Sequence, residues 1–212
     1  MPAVTAVFAA LAAASWMPAR AQDDNYPHHN ITLGIGGATP TGEIQSFMGS
    51  SPAISIGYGY RFHRYFQADT GLDILFGAAN VQGLVNTDLG VTNLKDREYM
   101  IPLGGRAIAP LLKGRLLLAG GGGGAWLHYS ESLNQPSYYY SVACPTCTSR
   151  GGWGYYGLAD AQYFLDQDHH FRVGVTTQFI RANTNGSAVG NVPAIQTSDH
   201  WVNVFAALGF SF

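Results

Sequence analysis

Charge is what this sequence has least of. Asp, Glu, Lys and Arg make up 11% of its 212 residues, less than half of the roughly 25% usual in a soluble globular chain. Lys and Arg occur singly and the formal net charge is only −2, so no basic stripe is present to follow a nucleic-acid backbone, and a nucleic-acid partner is excluded. Long apolar runs are missing as well. Beyond residue 21 no stretch of about 18 uninterrupted apolar residues occurs, which rules out a membrane-spanning helix. Disorder is excluded by the opposite property, because 13% aromatic residues let the chain bury or immerse enough apolar surface to offset its ordering entropy.

What is present begins with an export signal. From Val4 to Trp16 the chain is almost wholly apolar and rich in Ala, too short to span a bilayer comfortably as a helix. It ends at Ala19-Arg20-Ala21, where small residues flank a basic one, and Gln22-Asp23-Asp24-Asn25 then reads as a mature N-terminus. The expectation is a signal peptide over 1–21, cleaved after Ala21, a short N-terminal segment over 22–29 and one domain over 30–212. No Lys or Arg precedes the apolar stretch, and the alternative is an uncleaved amphipathic anchor.

The rest of the chain alternates with period two. Ile54, Ile56, Tyr58, Tyr60 and Phe62 share one face of a strand, with Ala53, Ser55, Gly57, Gly59 and Arg61 on the other. Phe66, Ala68, Thr70, Leu72, Ile74 and Phe76 oppose Gln67, Asp69, Gly71 and Asp73 in the next. Near the C-terminus Val202, Val204, Ala206, Leu208, Phe210 and Phe212 oppose Trp201, Asn203, Phe205, Ala207, Gly209 and Ser211. Each segment has the ~10 residues a tilted membrane strand needs. Strands are expected at 30–37, 53–62, 66–76, 97–107, 115–128, 151–163, 170–181 and 200–212, joined alternately by short connections (63–65, 108–114, 164–169) and long ones (38–52, 77–96, 129–150, 182–199). The expected fold is all-β, a single eight-stranded antiparallel up-and-down transmembrane barrel with both termini in the periplasm and the long loops outside.

A soluble lipocalin-like barrel also alternates, but it turns its apolar residues inward and its charges outward. Here the face opposite the apolar one carries Arg61, Asp69, Asp73, Glu98, Arg106, Asp160 and Arg172, which assigns these seven to the lumen and the apolar face to lipid. An eight-stranded barrel is just wide enough for side chains to fill it, so such charges pair into a plug or line a narrow polar path. Two irregularities interrupt the strands. Pro102 cannot donate to a ladder and predicts a bulge or local gap beside Gly104-Gly105. Gly120 to Gly124 leave both faces bare, and bulky neighbours are expected to lean over that backbone.

The export signal, the eight alternating segments and the terminal run Val204-Phe205-Ala206-Ala207-Leu208-Gly209-Phe210-Ser211-Phe212 resemble the OmpA/OmpX-type outer-membrane β-barrel superfamily, with porin-like but much narrower members. The resemblance covers nearly the whole mature chain and implies a location in the bacterial outer membrane, contact with outer-membrane lipid, and recognition by the barrel-assembly machinery. Phe212, Phe210, Leu208 and Ala206 match the register that the family presents to that machinery.

Cys144-Pro145-Thr146-Cys147 is the lone cysteine pair; in an exported chain it is expected to form a disulfide across a tight turn in the third long loop. Zinc would need two further ligands at suitable spacing, and His28-His29 and His169-His170 read as interfacial pairs, so neither a metal nor a cofactor is expected. Tyr138-Tyr139-Tyr140 give the same loop a recognition character. His128-x-Ser130 resembles part of the pattern of lipid A deacylases, but Glu131 stands where that family has Asn, and phase counting sends His128 inward with Gly122, Gly124 and Trp126. The functional expectation is a non-enzymatic outer-membrane barrel whose long loops bind an extracellular ligand. A narrow small-solute channel is the alternative, and a lipid-modifying enzyme the third reading.

Overall fold

The computed structural model describes residues 26–79, 84–87, 90–133, 144, 147–188 and 193–212, and of 84–87 and 90–93 the backbone only. The expected signal peptide, the segment up to Asn25, and Tyr138 to Tyr140 lie outside the described residues.

Among the described residues nine strands follow one another: β1 (His29–Thr41), β2 (Ser51–His63), β3 (Phe66–Phe76), β4 (Leu84–Thr87), β5 (Gly90–Leu111), β6 (Leu116–Leu133), β7 (Ser149–Phe164), β8 (Phe171–Gly186) and β9 (Gln196–Ser211). Every neighbouring pair is antiparallel, in the order β3-β2-β1-β9-β8-β7-β6-β5, and β3 pairs with β5 to close the ring. Eight strands thus form the barrel, while β4 pairs, among the described residues, with the far extension of β5. Closure leaves no strand edge in the lipid, where an unpaired backbone group would cost several kcal/mol.

Burial follows the alternation. On β2, Ile54, Ile56, Tyr58, Tyr60 and Phe62 are exposed while Ala53, Gly59 and Arg61 are buried; on β9, Val204, Ala206, Leu208 and Phe210 face out while Trp201, Asn203, Phe205 and Ser211 face in. A period-two run of apolar side chains on the outside is what lipid selects, because there the solvent is hydrocarbon. Aromatics mark both edges of this band. Tyr58, Tyr60, Phe62, Phe171, Phe210 and Phe212 lie at the end with the short turns and termini, and Trp153, Tyr155 and Phe179 at the end with the long loops.

Several strands outrun their expected limits. β5 runs 22 residues and β6 18, about twice what crossing the hydrocarbon needs. The ladder continues past the lipid-facing pattern through Lys95, Asp96, Glu131 and Ser132, residues that hydrogen-bond as well as any but carry no membrane signature. Part of the expected loop 77–96 is therefore strand, and the expected loop 38–52 contains a short 3-10 helix, Gly42–Ser46.

Pro102 produces a gap without a bulge. The β3–β5 ladder runs Thr70↔Leu103 and resumes at Asp73↔Met100 in unchanged register, whereas the β6 side is continuous through Pro102↔Ala125. At the glycine run the expectation of overhanging side chains is corrected. A Cβ on Gly121 would meet the Gly105 carbonyl, one on Gly122 the Tyr156 carbonyl, and one on Gly123 the Leu103 carbonyl. Backbone, not side chain, occupies the space, so glycine is needed for β5, β6 and β7 to approach so closely.

Candidate functional site

The lumen is where polar side chains converge, and it is filled at two levels. At the level nearer the short turns and termini, alternation brings Gln67 and Asp69 of β3, Arg106 of β5, and Asp160 and Gln162 of β7 to one height. Arg106 Nε donates to Asp69 Oδ2 and Nη1 to Asp160 Oδ2, both at 2.7 Å. Gln67 Nε2 donates to Asp69 Oδ1 (2.6 Å), while Gln162 Nε2 (2.7 Å) and Thr176 Oγ1 (3.1 Å) donate to Asp160. Asn30 extends the network: its Nδ2 donates to Gln67 Oε1 at 2.9 Å, and its Oδ1 accepts from Arg172 Nη1 (2.8 Å) and Ser211 Oγ (2.7 Å). Arg172 Nη2 reaches Thr32 Oγ1 at 3.2 Å. Arg61 closes this end by donating to the Arg64 carbonyl from Nε and Nη2, with its guanidinium 5.0 Å from the Tyr26 ring centroid.

The outer level is built differently. Leu75, Met100, Leu127, Ile180, Trp201 and Phe205 are almost completely buried inside the barrel, so polar-in alternation gives way to an apolar layer. Glu98 is fully buried among them, accepting from Trp201 Nε1 at 3.1 Å. Above it Asp199 accepts from Thr184 Oγ1 (2.9 Å) and Arg150 Nε (3.4 Å), and the Arg150 guanidinium lies 4.3 Å from the Tyr129 ring centroid. The 3-10 helix folds in as a cap, placing Ile44 and Met48 in the mouth at 2% and 3% exposure. Met48 bridges to Ala79, and Gly49 N–H donates to the Ala78 carbonyl at 2.7 Å. Asp96 Oδ2 fixes the same segment by accepting from the backbone N–H groups of Ala78 (2.7 Å) and Ala79 (3.0 Å).

All seven lumen residues named from the sequence point inward, but not as one network. Asp69, Arg106 and Asp160 form the bridge at the short-turn end, joined through Asn30 and Gln67 to Arg172. Arg61 stands at the rim, Asp73 sits between the levels, and Glu98 belongs to the outer layer. Asp96, Arg150 and Asp199 escaped notice, although Asp96 shares parity with Glu98 and Asp199 with Trp201. Between the levels lies a cavity of about 50 Å³ whose lining includes Ser55, Asp73, Arg106, Tyr156 and Gln178.

Outside the lumen, Ala206, Leu208, Phe210 and Phe212 all face lipid. Phe212 is held in register by mutual backbone hydrogen bonds with His29 (2.8 and 2.9 Å), and its ring stacks on His29 at 5.3 Å. His128 is a correction. Leu117, Ala125, Leu127 and Tyr129 are the buried set of β6, so His128 faces outward and stacks on Trp126 at 5.3 Å. Glycines carry no phase information, and Leu127 is as apolar as Trp126, so the parity could not be read across that run. Glu131 turns the other way, accepting from Tyr129 Oη (2.9 Å) and Thr148 N–H (2.8 Å).

In the β7–β8 turn, Asp166, Asp168 and His170 bring one ligand atom each within 4.8 Å, but Asp166 is already a turn cap. Desolvation is the largest single influence and opposes its ionisation, but the backbone N–H groups of His170 and Phe171, with that of Asp166 itself and the His170 ring, together outweigh it and hold the carboxyl below the usual carboxylate range.

Cys144 and Cys147 form a disulfide. The ring it closes is so small that its chain-entropy contribution falls below the roughly 3 kcal/mol of a 15-residue loop, and the loop base is pinned separately by Glu131 N–H to Thr148 O (3.1 Å) and Thr148 N–H to Glu131 Oε2 (2.8 Å). Cys144→Ser/Cys147→Ser is therefore expected to leave barrel melting unchanged while raising protease cleavage between residues 133 and 149. Loss of barrel assembly in the double variant, or free thiols in the exported protein, would contradict this.

No protein-family profile matches the chain, and no curated protein matches it in sequence. Solved structures do match. Neisserial surface protein A superposes with a TM-score of 0.58 at 11% identity, covering 87% of this chain and 97% of that one. OprG from Pseudomonas aeruginosa gives 0.57 at 13% identity, with 89% and 98% covered. AlkL, an outer-membrane protein solved in lipid bilayers, gives 0.52 at 10% identity, with 92% and 95% covered. With its closed ring of eight strands and its lipid-facing band, the chain has the fold of the small outer-membrane β-barrels.

Proposed function

We propose that this protein is a non-catalytic surface-recognition barrel of the bacterial outer membrane, whose outer loops bind an extracellular ligand while its lumen stays shut to solutes. The observation that carries this reading is the double closure of the lumen, by the Arg106 bridge below and by Trp201, Phe205, Ile44 and Met48 above. A side-chain-filled interior leaves no aqueous diameter. The long β5 and β6 ladders lift the loops clear of the membrane surface, where a partner can reach them. Catalysis by His128 and Ser130 is disfavoured because a histidine base needs an acid to orient it, and the adjacent Glu131 is committed to Tyr129 and Thr148 on the lumen side.

Planar-bilayer recording on the refolded wild-type protein tests the closure. The expected result is no steady single-channel conductance at moderate voltage. Long-lived open channels would favour instead a narrow small-solute channel, with the cavity beside Asp73 as a way-station along the path.

A further inference from the structure

Among the described residues, Asp73 is the one charged lumen residue that the two closures leave out. It lies at 1% exposure on the inner face of β3, opposite Ser55 of β2, and its Oδ2 has no hydrogen-bond partner within the protein. Two further buried polar atoms on the same cavity share that condition, Tyr156 Oη and Gln178 Oε1. The three come from β3, β7 and β8, so this is a convergence of separate strands rather than a local accident. A buried polar group without a partner is destabilising, and more so if charged, and three on one cavity call for a common partner.

Among the described residues, the lumen arginines bond elsewhere. Arg106, the only cationic side chain lining this cavity, gives Nε to Asp69 and Nη1 to Asp160; Arg172 keeps an unpartnered Nε but does not line the cavity, and its Nη atoms go to Asn30 and Thr32; Arg61 bonds the Arg64 carbonyl. The cavity's own donor set is rich in oxygen: carboxylate, carboxamide oxygen and phenol, with the hydroxyls of Thr32, Ser55 and Thr176. Oxygen donors suit a hard cation. One carboxylate with one free oxygen balances a single positive charge, whereas divalent sites draw on more carboxylates or on phosphates. Space is available because Gly34, Gly57 and Gly71 put no side chain into this stretch of wall. A volume of about 50 Å³ holds a small ion and a few waters, at about 10–15 Å³ for each water.

We propose that this mid-lumen chamber is a binding site for a hydrated monovalent alkali cation, with Asp73 as its charged ligand and Gln178 and Tyr156 as oxygen partners directly or through water. The ion is a structural counter-charge, independent of what the outer loops recognise.

The test uses the full-length mature barrel refolded in detergent micelles. Replacing choline chloride by sodium chloride at equal ionic strength should raise the wild-type melting temperature by about 2–4 °C in a saturable manner, and Asp73→Asn should melt at the same temperature in both salts. In crystals of the wild type soaked with thallous ion, an anomalous peak should appear in the lumen beside Asp73 Oδ2, which keeps the proposal testable if Asp73→Asn fails to refold. Equal wild-type melting in the two salts, an undiminished sodium response in Asp73→Asn, or no thallium peak in the chamber would each overturn it and leave a neutral, protonated Asp73 bonded to water or to Gln178.

Discussion

Arg106→Met is expected to destabilise the barrel by about 3–5 kcal/mol, the range for removing one partner of a buried ion pair. The variant takes away a single guanidinium but strands two carboxylates. Asp69 and Asp160 are each about 8% exposed, and each keeps only neutral donors: Gln67 for the first, Gln162 and Thr176 for the second. The loss should therefore exceed that of an exposed pair, worth at most about 1 kcal/mol. It should also be recoverable without restoring any charge. Arg106→Met combined with Asp69→Asn and Asp160→Asn exchanges the triad for neutral groups of similar volume, and such exchanges are often neutral or stabilising. Urea unfolding of the refolded proteins, followed by the fluorescence of their tryptophans, reads both values. If the single variant loses less than about 1 kcal/mol, the bridge is not a buried one; if the triple variant is no better than the single, the loss comes from packing rather than from stranded charge.

The interior of this barrel was only half legible in the sequence. Alternation sends a polar residue inward wherever lipid demands an apolar one outside, and this is why Asp69, Arg106, Asp160 and Arg172 could be placed by parity alone. That signal depends on contrast between the two faces. In the outer half the contrast fades, because Leu75, Met100 and Leu127 fill the lumen with side chains as apolar as those facing lipid. The same loss of contrast reversed the placement of His128, which follows a five-glycine run with no faces to compare. Partner choice was illegible throughout, since which carboxylate meets Arg106 depends on strand stagger around the ring and not on spacing along any one strand. Asp73 and Glu98 look like Asp69 in the sequence; only the closed ring shows that Asp69 meets an arginine, Glu98 a tryptophan, and Asp73 no cationic side chain.

The outer surface is governed by the opposite rule, and Ile56→Arg tests it most directly. Ile56 lies near the middle of β2, flanked by Leu33 of β1 and Leu72 of β3, and it is 49% exposed to what the fold makes hydrocarbon. An arginine at the bilayer midplane of such a barrel costs about 2–4 kcal/mol, falling to about 0–1 kcal/mol near the interfaces. The same substitution at Phe62, six residues along the same face and beside the short turn, should thus cost much less, because its guanidinium reaches the headgroups. Comparing the unfolding free energies of Ile56→Arg and Phe62→Arg in lipid bilayers separates a depth effect from a generic penalty for arginine on a strand. The gap should shrink in detergent micelles, where water and headgroups approach the belt more closely. Equal losses at the two positions in bilayers would mean that Ile56 does not sit at the midplane. A full loss at Phe62 with none at Ile56 would shift the hydrocarbon band toward the short-turn end of β2.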